Sequence, residues 1–414
     1  MRHDSETKQV AVESIGAAGR GYADPPPVRP IERTAACLLR SLVSTRSSRR
    51  LAVTLPSGAR VLLGRAGPVV ADVRLTNLKP IWRIVRRGEL GFAESYMAGD
   101  LDVDELADVM RLAVSGDITA ARPLGGLLMS PWAEQRAHRR RANTRDGSRR
   151  NIAAHYDLGN AFYALWLDAG MTYSSGLHST PDVTLDAAQA AKNAAVIEAL
   201  GLQEGHTVLE IGCGWGGFAE AAAARGATVL AITLSRQQYT WAKRRLESRA
   251  DVRLVDYRDV DGSYDRIASI EMIEAVGEEN WPVYFATLRD RLKPGGIGVL
   301  QAITIDERYY ATYRQNPDFI QRHVFPGGML PTVAAMRRAA AGAGLDFEAV
   351  QTFGGSYAVT LRQWLKRFEA AWPEIEALGF DTRFRRLWRY YLLYCQVGFE
   401  MGVTDVGLYR VRRT

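Results

Sequence analysis

From residue 201 onward, short apolar runs alternate with longer stretches in which apolar residues recur every three or four positions. TVLEI (Thr207 to Ile211), TVLAI (Thr228 to Ile232), DRIAS (Asp265 to Ser269) and IGVLQA (Ile297 to Ala302) are the apolar runs and read as strands. The intervening segments have helical spacing, so the pattern predicts an α/β domain with a parallel sheet covered by helices on both faces. Ligands of such sheets bind beyond the carboxyl ends of the strands. LKPGG (Leu292 to Gly296) reads as a turn before the last of these strands. A long aromatic helix from Thr382 to Val403 and a closing strand, GLYRVRR, are expected at the end.

Upstream the pattern changes. Arg33 to Arg50 has helical spacing, and LAVTLPSGARVLLG (Leu51 to Gly64) reads as two strands around a Pro-Ser-Gly turn. Ile81 to Val114 follows as short helices with acidic capping residues. Residues 33–116 are therefore expected to form a small α+β domain. Residues 1–32 carry acids early and lack a continuous apolar core, which predicts a disordered tail rather than a signal peptide or a membrane span. Residues 117–150, rich in Pro, Gly and Arg, read as a linker to a larger domain over 151–414. No internal repeat is visible.

Composition agrees with two folded units, because 414 residues with 47% hydrophobic content exceed most single domains. Three cysteines without paired spacing (Cys37, Cys213, Cys395) point to a reducing compartment, and six scattered histidines offer no metal-ligand spacing. No segment is long and apolar enough to span a bilayer, so a cytoplasmic protein is expected. A formal charge of +7 favours an anionic partner, nucleic acid or phospholipid headgroups. Much of the excess is local: Arg136, Arg139, Arg140, Arg141, Arg145, Arg149 and Arg150 face only Glu134 and Asp146. One reading of this run is a solvated linker. The aromatic interleaving of single-strand binders is absent, however, and the apolar patch LGGLLMSPW (Leu124 to Trp132) lies beside it. An anionic phospholipid membrane is accordingly the expected partner, and nucleic acid is not. Neutralising these arginines is expected to weaken association with anionic vesicles in co-sedimentation. Unchanged binding across a salt series would leave the run a linker.

LEIGCGWGGF places Gly212, Gly214, Gly216 and Gly217 after the first strand of the larger domain and at the start of a helix. Glycines let backbone pass close to a ligand. The second strand ends in Thr233-Leu234-Ser235 with no acid to bind the ribose of a dinucleotide, which argues against NAD. Glu210 precedes the loop, and E-x-G-x-G in this setting is the loop of adenosylmethionine-dependent methyltransferases. Their ligand lacks phosphate and carries an ammonium that an acid helps to hold.

HYDLGNAFYALWLD (His155 to Asp168), MTYSSG (Met171 to Gly176), AITLSRQQ (Ala231 to Gln238), VFPGGMLP (Val324 to Pro331) and GGSYAVTLRQW (Gly354 to Trp364) follow in order. With the glycine loop they resemble the cyclopropane fatty acid synthase family over about the last 265 residues. GFAESYMAGD (Gly91 to Asp100) extends the resemblance to the small N-terminal domain. The resemblance implies a Rossmann-like class I methyltransferase that transfers methyl from adenosylmethionine to a cis alkene in a phospholipid acyl chain. Tyr173, Ser174, Gly212, Gly214, Thr233, Leu234, Gln238 and Tyr257 are then expected at the cofactor site, beside Glu210 and Gly216. Gln238 would serve the ribose hydroxyls.

The same resemblance implies a bound bicarbonate that takes up a proton. Its expected holders are Ser175, Glu274, Gln301, Tyr357 and the backbone of Ile270. Ser175 and Gln301 stand where the family has cysteine and histidine; they can still donate hydrogen bonds but carry no charge. EMIEAVG (Glu271 to Gly277) and QAIT (Gln301 to Thr304) resemble the branch making 10-methylene or 10-methyl acids of the tuberculostearate type. There the cation left by methylation undergoes a hydride shift before it loses a proton, so placement of the base decides the product. Glu271 is either the acid that alters this placement, or a helix cap or surface ion-pair residue. Cys395 is near an acyl pocket or simply buried. Phe162, Trp166, Trp364, Tyr390 and Tyr394 wall an acyl tunnel or pack a core.

The expectation is thus a peripheral enzyme at the inner face of the cell membrane. It would methylate oleoyl chains to a 10-methylene product for an NAD(P)H- or FAD-dependent reductase and would self-associate as a homo-oligomer. A cyclopropane synthase is the alternative within the family. A non-catalytic lipid- or nucleic-acid-binding protein is the alternative outside it.

Overall fold

The computed structural model describes residues 29–42, 49–64, 67–116 and 158–414, and the chain divides into two units, residues 1–131 and 132–414. The tail through residue 28, the Leu124 to Trp132 patch, the Arg136 to Arg150 run and His155 lie outside the described residues. Among the described residues no helix is long and apolar enough to cross a membrane.

The first unit opens with helix α1 (Pro30–Leu42) and builds one four-stranded sheet in the order β2-β1-β3-β4. Strands β1 (Arg50–Thr54) and β2 (Arg60–Leu63) form the expected hairpin, pairing Leu51 with Leu63 and Val53 with Val61. Strand β3 (Val69–Leu75), which lacks a continuous apolar run, lies parallel to β1. Helices α2 (Lys79–Arg87) and α3 (Glu89–Met97) follow, then strand β4 (Leu101–Val103) and helix α4 (Leu106–Val114). The acidic caps expected for these helices do not form. Leu78, Gly88 and Glu105 occupy the N-cap positions without side-chain capping bonds, and α2 starts instead on Pro80, whose missing N–H costs nothing in a first turn. Gly91 is required for packing, since a Cβ there would lie 2.1 Å from the carbonyl oxygen of Arg83 on α2.

The second unit is a seven-stranded sheet in the order β10-β11-β9-β8-β5-β6-β7. After helices α5 (Asn160–Ala164) and α6 (Leu185–Leu200) come β5 (Thr207–Ile211), α7 (Gly217–Ala223), β6 (Thr228–Thr233), α8 (Arg236–Leu246) and β7 (Ala250–Leu254). Then follow β8 (Tyr264–Ile270), α9 (Trp281–Arg291) and β9 (Leu292–Ile305). These five strands are parallel. The Leu292–Gly296 segment is not a separate turn. It forms the first stretch of β9, because buried Leu292 already pairs with Tyr264 before the register shifts. Helices α10 (Glu307–Gln315), α11 (Phe319–His323) and α12 (Val333–Gly342) lead to β10 (Leu345–Thr352). Helices α13 (Gly354–Ala370), α14 (Trp372–Ala377) and α15 (Thr382–Glu400) lead to β11 (Thr404–Arg413). Strand β11 is antiparallel to both β9 and β10, so the chain end closes the sheet.

Candidate active site

Strand β5 ends at Ile211, and the chain turns through Gly212 to Gly216 before α7 begins. The turn is held by the Gly212 and Cys213 N–H groups, which donate to the Ile232 carbonyl at 3.0 and 2.9 Å. Gly214 (φ +53°) adopts a left-handed conformation with open space where a side chain would project, so backbone borders a cavity there. The cavity is lined by Tyr173, Ser174, Glu210, Gly212, Gly214, Thr233, Leu234, Gln238 and Tyr257, which are all the expected cofactor positions except Gly216. Gly216 stands behind the turn, where a Cβ would come within 3.0 Å of Leu246 on α8.

Three observations fit this cavity to adenosylmethionine. The Glu210 Oε2 atom is buried without a hydrogen-bond partner, and burial, opposed by Lys192, pushes the carboxyl up to about 8. An arriving ammonium would satisfy that oxygen and favour its ionised form. The Tyr257 hydroxyl is likewise buried without a partner and is pushed up to about 12, chiefly by burial. Gln238 accepts from the Thr233 hydroxyl through Oε1 at 2.8 Å, which leaves its NH2 end for ligand hydroxyls.

Glu271 lines this cavity, and Glu274 follows three residues on; both are half-buried. Glu271 leaves β8 with φ +49°, a conformation that costs a non-glycine residue about 1 kcal/mol or more. Its N–H donates to the Gln301 carbonyl at 2.7 Å, tying it to β9. Its Oε1 accepts from the Ser175 N–H at 2.9 Å and from Gln301 Nε2 at 2.8 Å, and its Oε2 accepts from the Tyr357 hydroxyl at 2.6 Å. Burial raises the pKa of this carboxyl, and the hydrogen bonds from Tyr357, Ser175 and Gln301 draw it back.

Glu274 faces differently. Its Oε1 accepts from the Ile303 N–H at 2.5 Å and its Oε2 has no partner. Burial, reinforced by the charge of Glu271, pushes it up to about 8.

This arrangement differs from the expected one. Tyr357, Gln301 and Ser175 converge on Glu271, not on an anion shared with Glu274. Ser175 contributes its backbone N–H, while its hydroxyl donates to the Gly176 carbonyl at 2.8 Å. Ile270 borders the cavity, but the backbone amides that reach the two acids are those of Ser175, on Glu271, and Ile303, on Glu274. Glu271 is neither a helix cap nor a surface ion pair, because its carboxylate is held by three uncharged donors.

Phe162, Trp166 and Trp364 are fully buried and meet edge to face, with ring centroids 5.7 Å apart for Phe162–Trp166 and 5.5 Å for Trp166–Trp364. Trp364 in turn lies 5.3 Å from Tyr173 in the cavity wall. Tyr390 and Tyr394 pack instead on Phe319, and Cys395 is a half-buried free thiol on α15.

Sequence reading missed Lys192. It lines the same cavity and donates to the Ser174 hydroxyl at 3.1 Å. The available signal was its place on the buried stripe of α6, between Ala188 and Val196.

Residues 143–408 match the family described as mycolic acid cyclopropane synthetase. The chain is 41% identical over 344 residues to the tuberculostearic acid methyltransferase UfaA1 of Mycobacterium tuberculosis, covering 78% of this chain and 79% of that protein. It is 34% identical over 371 residues to the cyclopropane-fatty-acyl-phospholipid synthase of Escherichia coli, covering 85% and 91%. The solved structure of cyclopropane synthase MmaA2 from Mycobacterium tuberculosis is similar with TM-score 0.59 and 30% identity, covering 64% of this chain and 98% of that one. That of mycolic acid cyclopropane synthase CmaA1 complexed with SAH and CTAB gives the same TM-score of 0.59 at 30% identity, with the same coverage of 64% and 98%. The glycine turn, the orphan polar atoms beside it and these similarities agree: the chain belongs to the mycolic acid cyclopropane synthetase family and is an adenosylmethionine-dependent methyltransferase of Rossmann-like class I fold.

Proposed function

We propose that this methyltransferase acts on the cis double bond of oleoyl chains in phospholipids and forms a 10-methylene chain, with Glu271 as the base. The observation that carries the reading is the Glu271 carboxylate, half-buried in the cavity wall and gripped by Tyr357, Gln301 and Ser175. The 41% identity to a tuberculostearic acid methyltransferase supports the same branch.

Adenosylmethionine, when bound, supplies an electrophilic methyl group. Once the alkene has taken it, the acyl chain carries a cation, and the protein must counter that charge, exclude water and accept a proton. The ionised Glu271 carboxylate meets the first need. Burial of Tyr357, Gln301 and Ser175 around it serves the second. A hydride shift then moves the cation to the carbon bearing the new methyl. A C–H bond of that methyl breaks, its electron pair forms the exocyclic double bond, and the proton passes to Glu271.

The donors that the family resemblance assigns to bicarbonate are already engaged by Glu271, so no step is routed through that ion. Glu274, held neutral, keeps the Ile303 N–H and with it the part of β9 that presents Gln301. The anionic membrane surface, its inner face as location, self-association and a reductase that consumes the methylene product belong to the same proposal. The net charge of +7 supports the first of these.

Lipids from a host expressing the protein decide the chemistry. Exocyclic olefinic protons by NMR, lost on mild hydrogenation to give a single methyl branch, are the expected result. High-field cyclopropane protons would replace this reading with the cyclopropane synthase one. Tyr357→Phe removes one charge-assisted hydrogen bond to the base and is expected to lower kcat about 10- to 100-fold with little change in KM for the methyl donor. A change confined to KM would mean that Tyr357 serves binding instead.

A further inference from the structure

The mechanism above leaves one buried ion without work. Lys192 is 1% exposed in the middle of α6, yet it lines the cofactor cavity. Among the described residues its one hydrogen bond is the 3.1 Å contact to the Ser174 hydroxyl, which leaves two of its three N–H donors unused there. Asp168, Glu210 and Glu271 surround it electrostatically, but none forms an ion pair with it among the described residues. A buried ammonium in this condition is costly unless something arrives to satisfy it.

The cavity has two chemically distinct ends. Thr233, Leu234 and Gln238 offer hydroxyl and amide groups at the end of β6, suited to a nucleoside. Ser174, Lys192 and Glu210 offer one cation and one acid, the complement of an amino acid zwitterion. Helix α6 also fixes the approach to this second end, because Gln189, one turn before Lys192, donates to the Ser174 carbonyl at 2.7 Å. Lys192 and Gln189 thus hold Ser174 by its side chain and its backbone.

We propose that Lys192 is the cation that receives the α-carboxylate of the methyl donor, while Glu210 receives its α-ammonium. The proposal rests on the assignment of adenosylmethionine to this cavity and adds the group that orients its methionine end. Lys192 acts before chemistry, in binding; the proton transfer stays with Glu271.

The test compares adenosylmethionine with its decarboxylated form, which keeps the sulfonium and the amine and lacks only the carboxylate. Binding is measured calorimetrically, without acyl substrate. The wild-type chain is expected to bind adenosylmethionine about 30-fold more tightly than the decarboxylated donor. Lys192→Met should lose about that factor for adenosylmethionine and stay within about threefold for the decarboxylated donor. Lys192→Arg, which keeps the charge, should recover part of the loss. Equal weakening of both donors by Lys192→Met, or no weakening of either, would overturn the proposal. Should Lys192→Met fail to fold, the wild-type chain alone decides, since equal affinity for the two donors refutes a carboxylate-binding cation. If the wild-type chain bound neither donor, the cofactor assignment itself would fall, and this inference with it.

Discussion

Glu271→Gln is expected to lower turnover with oleoyl phospholipid vesicles by about 1,000-fold or more, while the affinity for adenosylmethionine stays within about threefold. The amide keeps the shape of the side chain and can still accept from Tyr357 or from the Ser175 N–H. It can neither take a proton nor counter a cation, so the loss falls on chemistry and not on binding. Radiolabelled methyl transfer together with calorimetric binding of the donor measures both. Retention of more than about a tenth of the activity would remove Glu271 from the role of base.

Glu271→Gly separates the base from the donors that hold it. It relieves the left-handed backbone at residue 271 and frees the Tyr357, Gln301 and Ser175 donors in one change. Those donors then face a space large enough for a small anion. Added bicarbonate is expected to restore part of the turnover, with cyclopropane appearing among the products because the acceptor is no longer tethered at the same point. No response to bicarbonate would show that the three donors serve only to orient Glu271.

The second large effect is on stability. Glu274 is pushed up to about 8 in the folded protein, against a reference of 4.5 for an exposed glutamate. At pH below about 4.5 the acid is protonated in both states and imposes no penalty. As pH rises from there, the unfolded chain ionises while the folded one holds its proton, so stability falls until pH passes about 8. The cumulative loss is on the order of 2–4 kcal/mol, given roughly 1.4 kcal/mol per unit and the strong coupling of Glu274 to Glu271. Glu274→Gln removes the titration. Its urea midpoint is therefore expected to decline less between pH 6 and 9, and at pH 9 to exceed that of the wild-type chain. Parallel profiles for the two proteins would mean that Glu274 ionises at an ordinary pH in the fold.

Much of the catalytic unit was legible along the chain because its inner strands are buried on both faces. β5, β6, β8 and the centre of β9 are each rich in apolar and small residues between polar flanks, and each became a parallel strand of the sheet. The edge strands were not legible. β7 buries only Val252, and β10 turns most of its side chains outward, so neither contrasts with the loops around it. In the N-terminal unit the same reasoning found the Leu51 to Gly64 hairpin and missed β3, whose apolar and polar residues alternate.

The site divides along similar lines. The glycine turn is a local feature of strand, turn and helix, so its residues could be named in advance, and the cavity gathers nearly all of them. The place of Lys192 on the buried stripe of α6 was legible, but its part in the cavity was not, because nothing local shows that its tip reaches Ser174. The two acids are the sharpest case. Glu271 and Glu274 sit three residues apart in one apolar segment, and nothing in that spacing says which of them meets Tyr357.

The amino-acid sequence by itself determined the α/β pattern, the methyl-donor turn, the family and the presence of two costly acids at the end of β8. Tertiary structure alone decided their division of labour. The left-handed turn at Glu271 aims its carboxylate at donors brought from β9, from α13 and from the segment before α6, while Glu274 turns back to the Ile303 N–H. Burial is the chief cause that raises each acid, and hydrogen-bond partners more than twenty-five residues distant draw it back; neither effect has a local signature.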